Sequence, residues 1–299
     1  MNRDKKGFGR VAILGLGLIG GSIAAALKQR GLAQIAAWDK DEKSLDRGLT
    51  DGIIDEVLGS PDEARGADLV VLAVPVLAIK DMLSAIDSDQ VFTDVASVKG
   101  FVLEAVELHF GKLPPFYVPG HPIAGSERHG VGAANPNLFE NHRVILTPTD
   151  ETDESTTMLI AEFWRALGAN VVEMTPDHHD SVLAQTSHLP HLLAYGLVDT
   201  LSAGGDSLEV FEHAAGGFRD FSRIAASDPV MWRDVFLTNR DAVLEMLGRF
   251  NEDLSALQKA IRYKDGDALE ALFTRTRHIR RGVIDAGQAE PDEAPDDAD

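Results

Sequence analysis

Three glycines, an aspartate and a histidine carry the first chemical signals in this chain. Gly15-Leu16-Gly17-Leu18-Ile19-Gly20 places glycine at the three positions a phosphate-binding turn needs. One lets the chain turn tightly, one admits a pyrophosphate against the backbone, and one packs a helix closely on a sheet. The helix opening after such a turn offers unpaired N–H groups and partial positive charge to phosphates. Asp39 follows nineteen residues past Gly20. Its carboxylate accepts from adenosine ribose hydroxyls and repels a 2′-phosphate, which favours NAD over NADP, although Lys40 beside it would tolerate a phosphate. Asp39 also suits a turn or a helix N-cap, and methyltransferases combine a glycine-rich loop with a ribose-binding acid, so the remaining motifs have to decide. His121 sits between Gly120 and Pro122. That backbone is stiff, and an imidazole titrating near neutrality can take a proton during turnover.

Other polar residues fall where they need a reason. Asp94-Val95-Ala96-Ser97-Val98-Lys99 closes a strand-like run where a nicotinamide ring would lie, with Ser97 on the strand end next to the His121 loop. Ser187-His188-Leu189-Pro190-His191 interrupts an apolar stretch. Ser187 and His191 are four apart and share a helix face, while Pro190 leaves the Thr186 carbonyl short of a donor and predicts a local kink. Arg219 and Arg223 are also four apart, in a chain poor in positive charge. A guanidinium grips a carboxylate with two parallel hydrogen bonds, so this pair suits an anionic substrate, although either could instead pair with Asp220 or Asp228. Histidines 178, 179, 188 and 191 raise the question of a metal. With no cysteine, and no acid at ligand spacing from His188 and His191, we expect none.

These residues need elements to hold them. Strand-like runs at 11–14, 35–38, 69–74, 91–93, 144–146 and 171–172 alternate with helical stretches such as 18–30 and 76–86. That alternation predicts an α/β fold with a parallel sheet covered on both faces, and ligands outside the carboxyl ends of the strands. Ala73-Val74-Pro75 closes the third run, so Val74 and Pro75 would pass under the cofactor beside Leu18 and Ile19. Past about residue 176 only helical periodicity remains, to about 282, and Asp228-Pro229 starts a long predicted helix through Leu247. The expected division is 1–176 for nucleotide binding, 177–284 for a helical substrate and dimerisation part, and 285–299 for an acidic tail.

Composition sets bounds on function. The 299 residues are 44% hydrophobic and 25% charged, which excludes disorder as the main state. Zero cysteines exclude a disulfide scaffold, a thiolate metal site and a cysteine nucleophile. The formal charge is −20, and the six acids among residues 290–299 leave −14 elsewhere. That tail should be solvated and disordered. Such an acidic balance argues against nucleic acid and requires a local arginine cluster to draw in any anion. No apolar run reaches membrane-spanning length and the start lacks a secretory signal, so a cytoplasmic location is expected.

Together GLGLIGGS, DVASVK, GHPIAGSE, SHLPH and GGFRDFSRIAASDPVMW, in this order over about residues 8–282, resemble the prephenate/arogenate (cyclohexadienyl) dehydrogenase family. The resemblance implies a Rossmann-type, doubly wound, mostly parallel sheet followed by an all-helical dimerisation domain, with the active site between them and a homodimer as the assembly. It implies oxidative decarboxylation of prephenate or arogenate in tyrosine biosynthesis with NAD(P) taking a hydride, and Asp39 favours NAD. By resemblance His121 bonds the ring hydroxyl and accepts its proton, Ser97 assists, and Arg223 holds the ring carboxylate. Ser187, His191, Glu127, Gly216 and Trp232 match positions that line the substrate pocket. No chorismate mutase segment or regulatory domain is evident, so a monofunctional enzyme is expected. Two rivals remain in view. The 3-hydroxyacid and 6-phosphogluconate dehydrogenases share the layout but use a lysine in the helical part, and no lysine occurs between Lys112 and Lys259. A non-catalytic dinucleotide sensor would have no use for His121, Ser97 and Arg223 together.

Overall fold

A computed structural model describes residues 7–125, 128–203 and 212–283. In chain order the elements are β1 (Arg10–Leu14), α1 (Leu18–Arg30), β2 (Gln34–Trp38), α2 (Glu42–Thr50), β3 (Glu56–Val57), β4 (Leu69–Leu72), α3 (Ile79–Met82), β5 (Phe92–Asp94), α4 (Gly100–Phe110), β6 (Tyr117–Val118), β7 (Gly120–Ile123), β8 (Arg143–Leu146), α5 (Glu154–Ala166) and β9 (Asn170–Glu173). Helices follow: α6 (Pro176–Leu183), α7 (Leu189–Ser202), α8 (Gly216–Ser222), α9 (Pro229–Thr238), α10 (Arg240–Tyr263) and α11 (Gly266–Val283). The described residues up to Val243 form one compact unit and those from Leu244 on a second.

In the first unit, alternation along β1 decides how the sheet is covered. Val11 and Ile13 join one buried cluster with Ile23, Leu27 and Trp164, while Ala12 and Leu14 join another with Ile79, Phe92 and Val106. A strand apolar on both faces demands a layer on each side, which a parallel sheet with crossover helices supplies. Six parallel strands pair in the order β3-β2-β1-β4-β5-β6. The order reverses between β1 and β4, so the loops after β1, β4 and β5 lie side by side at one carboxyl edge.

Three expectations change in detail. The chain does not continue the parallel sheet past β6. It turns at Pro119 into a second sheet, β7-β8-β9, where β7 runs antiparallel to β8 and His121 pairs with Ile145. His121 therefore stands on a strand rather than in a loop. The stretch 76–86 is broken into 3₁₀, α and 3₁₀ turns. The long helix expected from Asp228 stops at Thr238. Asp228 does cap it, accepting from Met231 N at 2.8 Å, but Asn239 leaves helical geometry at φ −104°, ψ 35°. Its side chain is committed to tertiary bonds described below.

The second unit is different in kind. No residue of α11 is buried, and in α10 only Val243, which belongs to the first unit, is buried. Leu254, Ile261, Tyr263, Phe273 and Ile279 are all exposed.

Candidate active site

The glycine loop has the geometry its sequence demands. Gly15 adopts φ 104°, and a methyl there would strike the backbone at Ala73, at the end of β4. A methyl on Gly20 would run into the Gly15 carbonyl. Gly17 is the opposite case: a methyl would meet nothing within 4 Å, so the loop leaves open space where it precedes α1. The first turn of α1 carries no acid and its N-cap receives no side-chain bond. An open, uncapped helix start of this kind suits a dinucleotide pyrophosphate. Asp39, half-buried at the end of β2, accepts from Leu16 N at 2.6 Å and Asp41 N at 2.8 Å. It thus ties the loop to β2, and each oxygen keeps a lone pair for a ribose hydroxyl. Leu18 and Ile19 form the first turn of α1, and Val74 and Pro75 follow β4 beside Gly15.

Next along the edge, the loop after β5 is pinned by a buried ion pair. Lys99 Nζ donates to Asp94 Oδ1 at 2.6 Å and to the Gly120 carbonyl at 2.5 Å, with both side chains fully buried. Tyr117 OH donates to Asp94 Oδ2 at 2.7 Å and Ala96 N to Oδ1 at 2.8 Å. Burial lowers the Lys99 ammonium, and the Asp94 carboxylate opposes that. Burial also pushes the Tyr117 phenol well up, with Asp94 adding to it, so it stays a donor. One clamp thereby fixes the segment bearing Ser97 against the residue preceding His121. Val98, next to Ser97, packs with Trp232 and Val235.

His121 is buried, and its hydrogen bond goes to a residue the sequence treats only as a possible metal ligand. Nδ1 lies 2.8 Å from His179 Nε2, and the rings meet edge to face at 5.1 Å. His179 Nδ1 lies 2.7 Å from Asp180 Oδ1. Asp180 in turn caps α4, accepting Lys99 N at 2.9 Å on Oδ1 and Gly100 N at 2.8 Å on Oδ2. Burial works against the Asp180 carboxylate, yet the bonds from His179, Lys99 and Gly100 bring it below the ordinary carboxyl value. Burial holds His121 well below the usual imidazole value, helped by His179, Lys99 and His188, and it lowers His179 despite Asp180. Asn239 Nδ2 reaches the Asp180 carbonyl at 2.9 Å and His188 Nδ1 at 3.1 Å. Burial takes His188 down to about 4.

The kink expected at Pro190 is a π-helical turn at Ala184–His188, leading into α7. It lets His191 Nδ1 donate to the Ser187 carbonyl at 2.8 Å, so the shared face of Ser187 and His191 is realised through backbone. The His191 ring stacks on Trp232 at 3.7 Å and 23°. Trp232 Nε1 is buried without a partner among the described residues, a donor waiting for an acceptor. Burial lowers His191, the Ser187 carbonyl opposes this, and nearby Arg223 adds to the lowering. The structure thus gathers His121, Ser187, His191, Trp232 and Arg223 in one region, with Ser97 anchored next to it. Gly216 opens α8, which packs against α7. Glu127 and the acidic tail lie outside the described residues. From sequence alone, Asp180, Asn239 and the Asp94–Lys99–Tyr117 clamp receive no site role, and His179 is weighed only as a metal ligand. The one local signal for two of them was Thr175-Pro176, which caps a helix and sets 179 and 180 in its first turns.

A doubly wound sheet with an open glycine loop, and a buried imidazole on β7 tied through Gly120 to the loop after β5, defines a dinucleotide-dependent oxidoreductase. Residues 23–173 match the prephenate dehydrogenase nucleotide-binding domain and residues 175–275 the prephenate dehydrogenase dimerization domain. The cyclohexadienyl dehydrogenase of Zymomonas mobilis subsp. mobilis is 39% identical over 285 residues, 91% of this chain and 95% of that protein. The prephenate dehydrogenase of Bacillus subtilis is 35% identical, covering 91% of this chain and 76% of its own. The crystal structure of prephenate dehydrogenase from A. aeolicus, in complex with hydroxyphenyl propionate and NAD+, superposes with a TM-score of 0.85 at 35% identity, covering 92% and 98% of the two chains. This chain belongs to the prephenate dehydrogenase family.

Among the described residues no cluster suits a metal ion, and no helix is long and apolar enough to cross a membrane.

Proposed function

We propose that this protein oxidatively decarboxylates prephenate, arogenate or both, using NAD, with His121 as the base at the reacting hydroxyl. The observation that carries the reading is the buried, neutral His121, fixed by its Nδ1 bond beside the carboxyl edge where the glycine loop opens. The loop Gly15–Gly20, with Leu18 and Ile19 at the helix start, would hold the cofactor together with Asp39, Val74 and Pro75. NAD supplies the hydride acceptor.

His121 Nε2 takes the proton of the ring hydroxyl as the hydride leaves the same carbon. The bond from the ring to its carboxylate breaks, carbon dioxide departs, and the electron pair completes the aromatic ring. The proton then returns from His121 to the phenolate oxygen, so prephenate and NAD+ give 4-hydroxyphenylpyruvate, carbon dioxide and NADH with no proton released. Such a base is typically worth ~10²–10⁴ in rate. Ser97 steadies the hydroxyl, Arg223 receives the ring carboxylate, and Trp232 lines the pocket. His191, Ser187, Glu127 and Gly216 line the remainder.

The division 1–176, 177–284 and 285–299 is part of the proposal, as are a cytoplasmic location and a homodimer built on the exposed apolar helices. The test is absorbance at 340 nm on mixing protein and NAD with prephenate or arogenate. A rise with either supports the enzyme, and silence with both leaves a dinucleotide sensor. His121→Asn should lower kcat at least ~100-fold while NAD affinity holds, and an active variant would remove the base.

A further inference from the structure

Resting on that reading, we infer that His179 and Asp180 are positioning residues that set the tautomer of His121, so that its Nε2, and not its Nδ1, is the basic nitrogen. Asp180 already accepts two backbone N–H groups at the start of α4, and an ionised carboxylate can only accept. His179 must therefore present a proton on Nδ1 across the 2.7 Å contact. A neutral His179 then has a lone pair on Nε2, and the 2.8 Å contact closes only if His121 carries its own proton on Nδ1. That leaves the His121 Nε2 lone pair as the basic site.

Burial holds the arrangement, since His179 has no exposed surface and His121 only 9%. The alternative tautomer would face two lone pairs, or two protons, at hydrogen-bond distance. When His121 becomes cationic its Nδ1 proton still points at His179, and the Asp180 carboxylate lies one ring away. The ionisable groups facing His121 are His179, Lys99 and His188, and those facing His179 are Asp180, Asp94 and Lys99. The device links two segments far apart in sequence, since the capped end of α4 determines which nitrogen of β7's histidine is basic.

The wild-type protein supplies the first test. Nitrogen-15 NMR of the imidazole rings should find the neutral proton on Nδ1 of both His121 and His179, and an Nε2–H tautomer at His121 overturns the inference. Three variants supply the second. Asp180→Asn should lower kcat at least ~100-fold, in the manner of triads whose histidine adopts the wrong tautomer, where the loss reaches ~10⁴. It should also shift the acid limb of the kcat profile to lower pH, because the imidazolium loses its counter-charge; a merely structural role would reduce amplitude without moving the limb. His179→Gln keeps an acceptor oxygen near the old Nε2 and should stay within ~10-fold of wild type, whereas His179→Leu should fall with Asp180→Asn. His121→Asn runs alongside. If it retains activity, the base assignment itself fails. If it is inactive while Asp180→Asn and His179→Leu keep the wild-type kcat and limb, only the positioning role fails.

Discussion

The glycine loop, at the carboxyl edge of the six-stranded sheet, and the imidazole cluster, anchored on β7 of the second sheet, are made of different materials. The loop works through backbone and through side chains that are missing: open space at Gly17 and close approach at Gly15 and Gly20. The cluster works through buried side chains brought from β7, α6, the π-helical turn and the break at Asn239, with partners 58 and 51 residues apart. A backbone site is local, so one short motif announces it. A side-chain site is assembled by the fold, and its supporting residues look ordinary until the fold exists.

That contrast can be attacked at either end. Gly20→Ala sets a methyl against a backbone oxygen that no rotamer change relieves, so its cost should exceed about 4 kcal/mol, the exceptional range for one substitution. Thermal melting and NAD titration read it, and wild-type values in both would mean that the loop is not built on close approach. Lys99→Met comes next. It strands the Asp94 carboxylate without its cation, which for a buried pair costs about 3–5 kcal/mol, and a Tm within a degree or two of wild type would show the clamp to be ornamental.

Arg223→Ala should raise the KM for prephenate by ~10–100-fold with a smaller change in kcat, the worth of about 1.5–3 kcal/mol for charged hydrogen bonds. An unchanged KM sends the ring carboxylate elsewhere. The gentlest probe is pH. His121, His179 and His188 are all depressed by burial, so the unfolded chain binds protons that the folded one refuses. Stability is full above the ordinary value near 6.5 and falls as pH drops below it, at roughly 1.4 kcal/mol per unit for each such histidine. For His188 the window closes at about 4. Denaturant midpoints that stay level between pH 6.5 and 4.5 would contradict the buried neutral state of these rings.

How far the sequence could be read follows the same line. The helix over 18–30 and the strands at β1 and β2 match to within a residue, because glycine punctuation and unbroken apolar runs are local signals. β3 is two residues long and leaves no period to detect. The second sheet was hidden because its first strand, Gly120–Ile123, contains a glycine and a proline. Propensity places both in a turn, and only pairing with β8 makes them a strand. Helical periodicity runs through Asn239 without a flaw. The helix ends there because the amide is needed by the Asp180 carbonyl and His188, and no window of sequence contains that demand. The imidazole at 121 could be picked out from its neighbours, while the histidine that orients it could not.

The helices beyond Val243 carry one consequence of their own. With no residue of α11 shielded from water, the order of this stretch has to come from mass action if a second copy covers it. Diluting the protein should then loosen these helices before anything else, and the midpoint of their melting should climb with concentration.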